Sequence, residues 1–158
     1  MIKKLTKILI VIIIISLFSI WVVDIFKSNK SLEKSLKKTK VIVKDKELNA
    51  YIADNYITRS RGLSIFNSIK DNEGMLFSYP EKNVSRKMSI WMQGMKFNID
   101  IIWIKDNKII YIVENAPYPR NITIASYYPK VLADYVLETN SGFIKNNDIK
   151  INDKILIS

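Results

Sequence analysis

Two acidic residues stand inside apolar, strand-like stretches, where burying a carboxyl group without a partner is costly. Asp100 lies in "FNIDIIWI" and Glu138 lies in "YVLET". Two carboxyls at one site can act as general acid and general base on a glycosidic bond, or can bind Ca²⁺ together with Glu73. The spacing matches neither a hydrolase motif nor a calcium loop. The sequence therefore predicts no metal site and no cofactor, and it favours a protein that is not an enzyme.

Asp100 has two interpretations. By strand alternation it shares a face with isoleucines, so we expect it to be buried and to need hydrogen bonds or a cation. In the structural interpretation, backbone amides or the guanidinium groups of Arg59 or Arg61 satisfy it and hold a helix against the sheet. In the functional interpretation, Asp100 and Glu138 converge with Trp91 on a ligand.

Aromatic residues occur at one end of this strand and in a proline-containing segment. Trp91 lies in "WMQGM", and three tyrosines lie in "ENAPYPRNITIASYYPK" (114–130), which we expect to be a long ordered loop. If Trp91 is buried, it fills the core. If it is exposed beside the tyrosines, the rings form a platform for a sugar or an extended peptide. The candidate ligand-binding residues are therefore Trp91, Asp100, Tyr118, Tyr127, Tyr128 and Glu138.

The composition excludes several kinds of chemistry. The chain of 158 residues contains no histidine and no cysteine. Ser-His-Asp and Cys-His catalysis are thus impossible, and so are zinc sites that depend on imidazole or thiolate ligands.

The net charge of +10 is concentrated in one short segment. Residues 1–26 contain three lysines and one aspartate, residues 27–46 contain eight lysines and two acids, and residues 47–158 contain fourteen basic and twelve acidic residues. Nucleic-acid binding needs a clustered basic face on the folded domain, so the sequence predicts no nucleic-acid partner.

The N-terminus has the layout of a membrane anchor. "ILIVIIIISLFSIWVV" contains sixteen uncharged residues after three lysines, and as a helix it spans roughly 24 Å. No small-x-small cleavage pattern follows it, so we expect an uncleaved signal-anchor at 1–26 that contacts the membrane through residues 8–26.

A lysine-rich stalk is predicted at 27–40, between the anchor and the domain. The excess of lysines in the stalk would keep the C-terminal domain in the cytoplasm, whereas the short segment before the apolar helix favours export of that domain. The stalk is either a solvated linker or a segment that lies on anionic lipid headgroups.

From residue 41 to residue 158 the pattern is that of a single domain. Alternating runs predict strands at "VIVKDKELNAYIAD", "GMLFSY", "SRKMSIWM", "FNIDIIWIK", "KIIYIV", "VLADYVLET" and "INDKILI", with a hairpin turn at Asp106 and Asn107. Asp54 or Asn55 can cap a short helix that ends near Gly62, and "SGFIKNNDI" predicts a helical turn.

In their order and spacing, "YIADNYITRSRGLS", "EGMLFSY", "WMQGMKFNIDIIWI", "YYPKVLADYVLET" and "SGFIKNNDIKINDKILI" resemble the successive motifs of the domain of unknown function 192 family. This bacterial and archaeal family is uncharacterised and is often exported or membrane-anchored. The resemblance implies an α+β fold, predominantly antiparallel β, as one compact β-rich domain with one or two short helices. It also favours a domain outside the cytoplasm.

Three functions remain. The preferred one is a single-pass, membrane-anchored binding or accessory module whose domain is extracytoplasmic and whose ligand is a small saccharide or peptide of the cell envelope. The alternatives are a carboxylate-dependent hydrolase that acts on an envelope polymer and a purely structural tether.

Overall fold

The computed structural model describes residues 2–79, 85–120 and 123–158, without the side chains of residues 2–9 and 24–26. The chain divides between Ser35 and Leu36 into two compact units.

The first unit is one long helix, α1 (Ile2–Ser35). From Ile10 onward it is long and apolar enough to cross a membrane, with a mean hydropathy of 2.4, and a signal sequence would have the same properties. Its large apolar side chains from Ile10 to Val23 are exposed, except the half-buried Val22. Ser16 and Ser19 donate their hydroxyls to carbonyls three residues earlier, both at 2.8 Å. The serine hydroxyls are thus satisfied within the helix, as a membrane interior requires.

The predicted stalk does not form one structural element. Residues 27–35 continue α1, and the first strand begins at Lys38. Lys38 and Lys40 lie on this strand and form ion pairs of 3.0 Å with Glu73 and Glu47.

The described part of the second unit contains one large sheet and a separate pair of short strands. The sheet strands are β1 (Lys38–Val43), β2 (Lys46–Ala53), β3 (Glu73–Phe77), β5 (Ile99–Lys105), β6 (Lys108–Ala116), β8 (Tyr135–Asn140) and β9 (Ile155–Ile157), and the pair is β4 (Ile90–Trp91) and β7 (Ser126–Tyr127). The order in the sheet is β6-β5-β8-β3-β2-β1-β9. Neighbouring strands are antiparallel except β2 and β3, which are parallel. This mostly antiparallel sheet with a few short helices confirms the predicted fold class.

One face of the sheet, the core face, carries the main hydrophobic core. Alternation along β5 places Ile102 and Ile104 on it, opposite α3 (Phe143–Asn146). Strand β8 contributes Leu137 and β3 contributes Leu76. The buried apolar side chains of this core are those of Val41, Val43, Leu48, Ala50, Leu76, Ile102, Ile104, Ile109, Leu137, Phe143, Ile144, Ile149 and Ile155.

The opposite face, the pocket face, carries Met75, Ile101 and Glu138, which lie side by side in the strand register. It is covered by α2 (Tyr56–Arg61), the following 3-10 helix (Gly62–Ile65) and residues 85–95. Trp103 is fully buried here, and its indole N–H donates to the backbone carbonyl of Met88 at 2.7 Å. This bond ties the covering segment to the sheet.

Most predicted elements are present, with two differences. The run "SRKMSIWM" forms only the two-residue strand β4 and an isolated bridge between Arg86 and Ala133. The proline-containing segment contains strand β7, and its residues 121–122 lie outside the described part of the chain. The hairpin turn at Asp106 and Asn107 is confirmed, with positive φ angles of 49° and 57°.

Candidate functional site

Asp100 joins three elements through backbone hydrogen bonds. Its side chain is 1% exposed. Oδ1 accepts the N–H of Asn115 on β6 at 2.8 Å, and Oδ2 accepts the N–H of Ile144 in α3 at 2.8 Å. Among the alternatives of the structural interpretation, backbone amides are therefore the partners, and the helix that they hold is α3. The carboxylate is satisfied and is not available to a ligand.

Asp100 and Glu138 do not converge. In the register of β5 and β8, Asp100 is opposite Thr139, whereas Glu138 is opposite Ile101. Directly opposed residues point to the same side of a sheet, and successive residues point to opposite sides. Asp100 thus lies on the core face and Glu138 on the pocket face. The structure therefore does not bring these two residues together, and it does not supply from them the carboxyl pair that the hydrolase alternative requires.

Glu138 has an environment unlike that of Asp100. Its side chain is 3% exposed, and Oε2 has no hydrogen-bond partner among the residues that the structure describes. Burial raises the pKa of the carboxyl to about 8, and a hydrogen bond from the backbone N–H of Leu63 opposes that rise. No described lysine or arginine lies within 4.0 Å of it. Glu138 is therefore a neutral carboxylic acid at pH 7.

A cavity of about 90 Å³, the inner pocket, opens beside Glu138. One water needs ~10–15 Å³ of such space, so the inner pocket is large enough for a small polar group. Gly62 forms part of its wall, since a Cβ there would stand 3.7 Å from Oε2 of Glu138. The inner pocket is lined by Arg59, Arg61, Gly62, Leu63, Phe77, Tyr79, Met88, Ser89, Ile90, Trp91, Gln93, Met95 and Glu138.

A wider depression, the outer groove, shares several of these residues and has a volume of about 460 Å³. That volume lies within the usual range of ligand sites. Three of its aromatic side chains are strongly exposed, with Trp91 at 51%, Tyr128 at 74% and Tyr56 at 81%. The outer groove is lined by Tyr56, Arg59, Ser60, Tyr79, Ser89, Ile90, Trp91 and Tyr128.

Arg59 lines both cavities, and two contacts hold its guanidinium in place. Its Nη1 donates to the carbonyl of Ser78 at 3.0 Å, and its guanidinium lies 4.1 Å from the ring centre of Tyr79. Arg86 stacks on the same ring at 4.1 Å. Arg61, also in the lining of the inner pocket, is exposed and has no carboxylate within 4.0 Å among the described residues.

Local sequence signals explain how α2 presents these arginines. Asn55 accepts the N–H of Thr58 at 3.0 Å, and the Thr58 hydroxyl accepts the N–H of Asn55 at 3.2 Å, which completes a reciprocal cap. Gly62 ends the helix with a φ of +50°. The six-residue helix is thus bounded at both ends, and its arginines stand at the mouth of the inner pocket.

Strand pairing positions the aromatic residues of the 126–128 segment. Trp91 is opposite Ser126, and Ile90 is opposite Tyr127. Trp91 and Tyr128 consequently line the outer groove together. Tyr127 lines neither cavity, and partial burial raises the pKa of its hydroxyl.

Tyr118 is also separate from both cavities. Its backbone N–H donates to Asn98 at 3.1 Å, and its ring lies 5.3 Å from the guanidinium of Arg120.

Of the six predicted ligand-binding residues, the structure groups Trp91, Tyr128 and Glu138. The sequence reasoning did not identify Tyr56 and Tyr79. Tyr56 carried the one signal in the sequence that could have identified it, because an aromatic residue at the first position of a capped helix is exposed. No group of three or more potential metal-binding side chains occurs among residues 2–79, 85–120 and 123–158.

Comparison with known proteins identifies relatives without a defined activity. The chain is 32% identical over 104 residues to a UPF0127 protein of Thermococcus gammatolerans, an alignment that covers 66% of this chain and 63% of the relative. A UPF0127 protein of Thermococcus kodakarensis is 28% identical over 104 residues, with 66% and 61% covered. The chain thus spans less than two thirds of the length of these curated relatives.

Two crystal structures have similar folds. One, from Sinorhizobium meliloti 1021 and named as a candidate transcription regulator, has a TM-score of 0.67 and 27% identity over 78% of this chain and 95% of its own. The other, a protein of unknown function from Novosphingobium aromaticivorans, has a TM-score of 0.63 and 24% identity over 77% and 84%. Residues 39–157 match the model of the DUF192 family, described as an uncharacterised ACR. The chain therefore belongs to the DUF192 family, as its motifs predicted.

Proposed function

We propose that this protein is a membrane-anchored binding module whose domain lies outside the cytoplasm and whose outer groove takes a saccharide or peptide segment of the cell envelope. The observation that carries the proposal is the exposure of three aromatic side chains around one depression. Tyr56, Trp91 and Tyr128 come from three separate segments and remain exposed although they meet at a single groove. Exposed aromatic faces next to polar groups are typical of sites that bind sugars and extended chains.

The separation of the two buried carboxyls favours binding over hydrolysis. Glycoside hydrolysis requires two carboxyls on either side of one bond. Asp100 is held by two amides on the core face, so Glu138 has no acidic partner from it. The groove retains a recognition surface without that pair.

The anchoring part of the proposal is supported by α1. Most of its described apolar side chains are exposed, and the hydroxyls of Ser16 and Ser19 are satisfied within the helix. The lysines at the C-terminal end of α1, Lys27, Lys30 and Lys34, then lie near the headgroups, where each contributes about 1 kcal/mol on an anionic surface.

Titration of the full chain in detergent micelles tests binding. The probes are a chitin oligosaccharide and an unstructured tetra-alanine peptide, and the readout is the heat of binding in isothermal titration calorimetry. Saturable change with one of them in the wild type, weakened at least tenfold in Trp91→Ala and Tyr128→Ala, supports the proposal. Tyr118→Ala is the matched control, because Tyr118 lines neither cavity. Equal binding by all four proteins, or no saturation up to millimolar concentrations, would overturn it.

Protease treatment of intact cells tests the topology. An extracytoplasmic domain is digested while a cytoplasmic marker protein stays intact. Protection of the domain until the cells are lysed would show that it lies inside.

A further inference from the structure

The inner pocket holds a combination of groups that the groove alone does not explain. An uncharged carboxyl with an unpartnered oxygen forms its side, and two guanidinium groups belong to its lining. Burial of a polar atom without a partner is costly, so such atoms are uncommon in native folds, and one that borders a cavity points to a ligand. The structure assigns the inner pocket to the carboxylate of an acidic saccharide, with Glu138 Oε2 and Arg61 as its partners and the sugar rings in the outer groove.

The charges decide between an anion and a cation. The titratable and charged groups in the lining are Glu138 from β8, Arg59 and Arg61 from α2, and Tyr79 after β3. The residues opposite Glu138 on β3 and β5 are Met75 and Ile101, which carry no charge. With the carboxyl neutral, the lining carries a formal charge of +2. An ammonium group would meet two like charges, whereas a carboxylate meets two guanidinium groups and one O–H donor.

The strands beside the groove decide between a saccharide and a peptide. An extended peptide commonly binds by adding a strand to an open sheet edge. The strands at this site, β4 and β7, are only two residues long each. Flat aromatic faces with serine and arginine side chains between them suit sugar rings, which have apolar faces and polar edges.

This assignment rests on the proposed function, because it specifies the ligand of the same site. A neutral acid that donates a hydrogen bond to a carboxylate loses that bond when it ionises. Binding of an anion therefore weakens as the pH rises through the pKa of Glu138, about 8. Binding of a cation would strengthen over the same range.

The test compares glucuronate with its neutral methyl ester, titrated against the full chain in detergent micelles between pH 6 and pH 9.5. We expect glucuronate to bind about tenfold more tightly than the ester at pH 6.5, which is the worth of one charge-assisted hydrogen bond. That preference disappears above pH 9. Glu138→Gln keeps a neutral donor, so it retains the preference and loses the pH dependence. Arg61→Gln loses the preference, and Arg120→Gln, an exposed arginine outside both cavities, does not.

Other outcomes separate the two proposals. Equal binding of glucuronate and its ester overturns the carboxylate assignment while the groove stands. Tighter binding of choline, whose quaternary ammonium keeps its charge at every pH, at high pH also overturns it and makes the inner pocket a cation site. Preference for the free carboxyl end of a short peptide over glucuronate replaces the saccharide by a peptide terminus. If neither sugar binds, the assignment and a saccharide-binding groove fail together.

Discussion

Asp100 and Glu138 lie on adjacent strands, one residue apart in register, and both are almost completely buried. Their carboxyls nevertheless have opposite surroundings. Asp100 receives two backbone N–H groups at 2.8 Å, one on each oxygen. Glu138 has one oxygen without any partner, beside a cavity of about 90 Å³.

The difference shows how a buried acid serves structure in one place and recognition in another. The two amide donors of Asp100 join α3 to the β5–β6 hairpin through its carboxylate. Glu138 receives only the backbone N–H of Leu63, and burial raises its pKa to about 8, so it holds its proton at pH 7 and leaves a hydrogen-bond donor at the side of a pocket. Four predictions test this contrast, in order of decreasing effect.

Replacing Asp100 by alanine should give the largest loss of stability. The substitution leaves the N–H groups of Asn115 and Ile144 buried without acceptors, at about 1–3 kcal/mol each. We expect the free energy of unfolding, measured by urea denaturation, to fall by roughly 2–6 kcal/mol. Asp45→Ala is the control, because Asp45 is exposed in a turn, and its effect should stay within about 0.5 kcal/mol. A loss no larger than that of the control would contradict the structural role of Asp100.

Glu138 should make the free energy of unfolding fall as the pH rises, whereas an acid paired with a cation makes it increase. Its pKa is 4.5 in the unfolded chain and about 8 in the fold. The stabilisation is therefore complete below pH 4.5 and is lost as the pH rises to about 8, by roughly 5 kcal/mol at most at 1.36 kcal/mol per pKa unit. Melting temperatures measured over this range should fall more in the wild type than in Glu138→Gln. Parallel curves would show that Glu138 ionises freely in the fold.

Gly62 should resist substitution because it ends α2 and borders the inner pocket. Its φ of +50° and ψ of −148° suit only glycine, and a Cβ would stand 3.3 Å from Cζ of Phe77. Gly62→Ala should cost about 1–3 kcal/mol in urea denaturation and should also weaken glucuronate binding. Unchanged stability would mean that the backbone relaxes at this position.

Trp91 should contribute least to stability, in contrast to Trp103. Trp91 is half exposed, so Trp91→Ala should change the free energy of unfolding by less than about 1 kcal/mol. Trp103 is fully buried and bonded to Met88, so Trp103→Ala should cost about 3–5 kcal/mol. Equal losses in thermal denaturation would show that Trp91 serves packing and would remove the main support for the groove.

The residue pattern alone determined the strand runs and the short capped helix, and the resemblance to the family implied the α+β class. These features depend on local periods and caps, such as the alternation in "FNIDIIWI" and the cap at Asn55, which neighbouring residues largely decide. The family followed from motif order, and the apolar N-terminal helix followed from composition. The burial of Asp100 followed from its isoleucine neighbours.

Only the tertiary structure decided which residues form the site. Whether Asp100 and Glu138 share a face depends on the register of β5 against β8, and these strands are more than thirty residues apart in the chain. A slip of one residue would have reversed the answer, because side chains alternate between faces. Tyr56, Trp91 and Tyr128 likewise meet through packing of distant segments. The sequence by itself therefore determined that two carboxyls would be buried, and the pairing of the strands decided that Asp100 supports the fold while Glu138 borders a pocket.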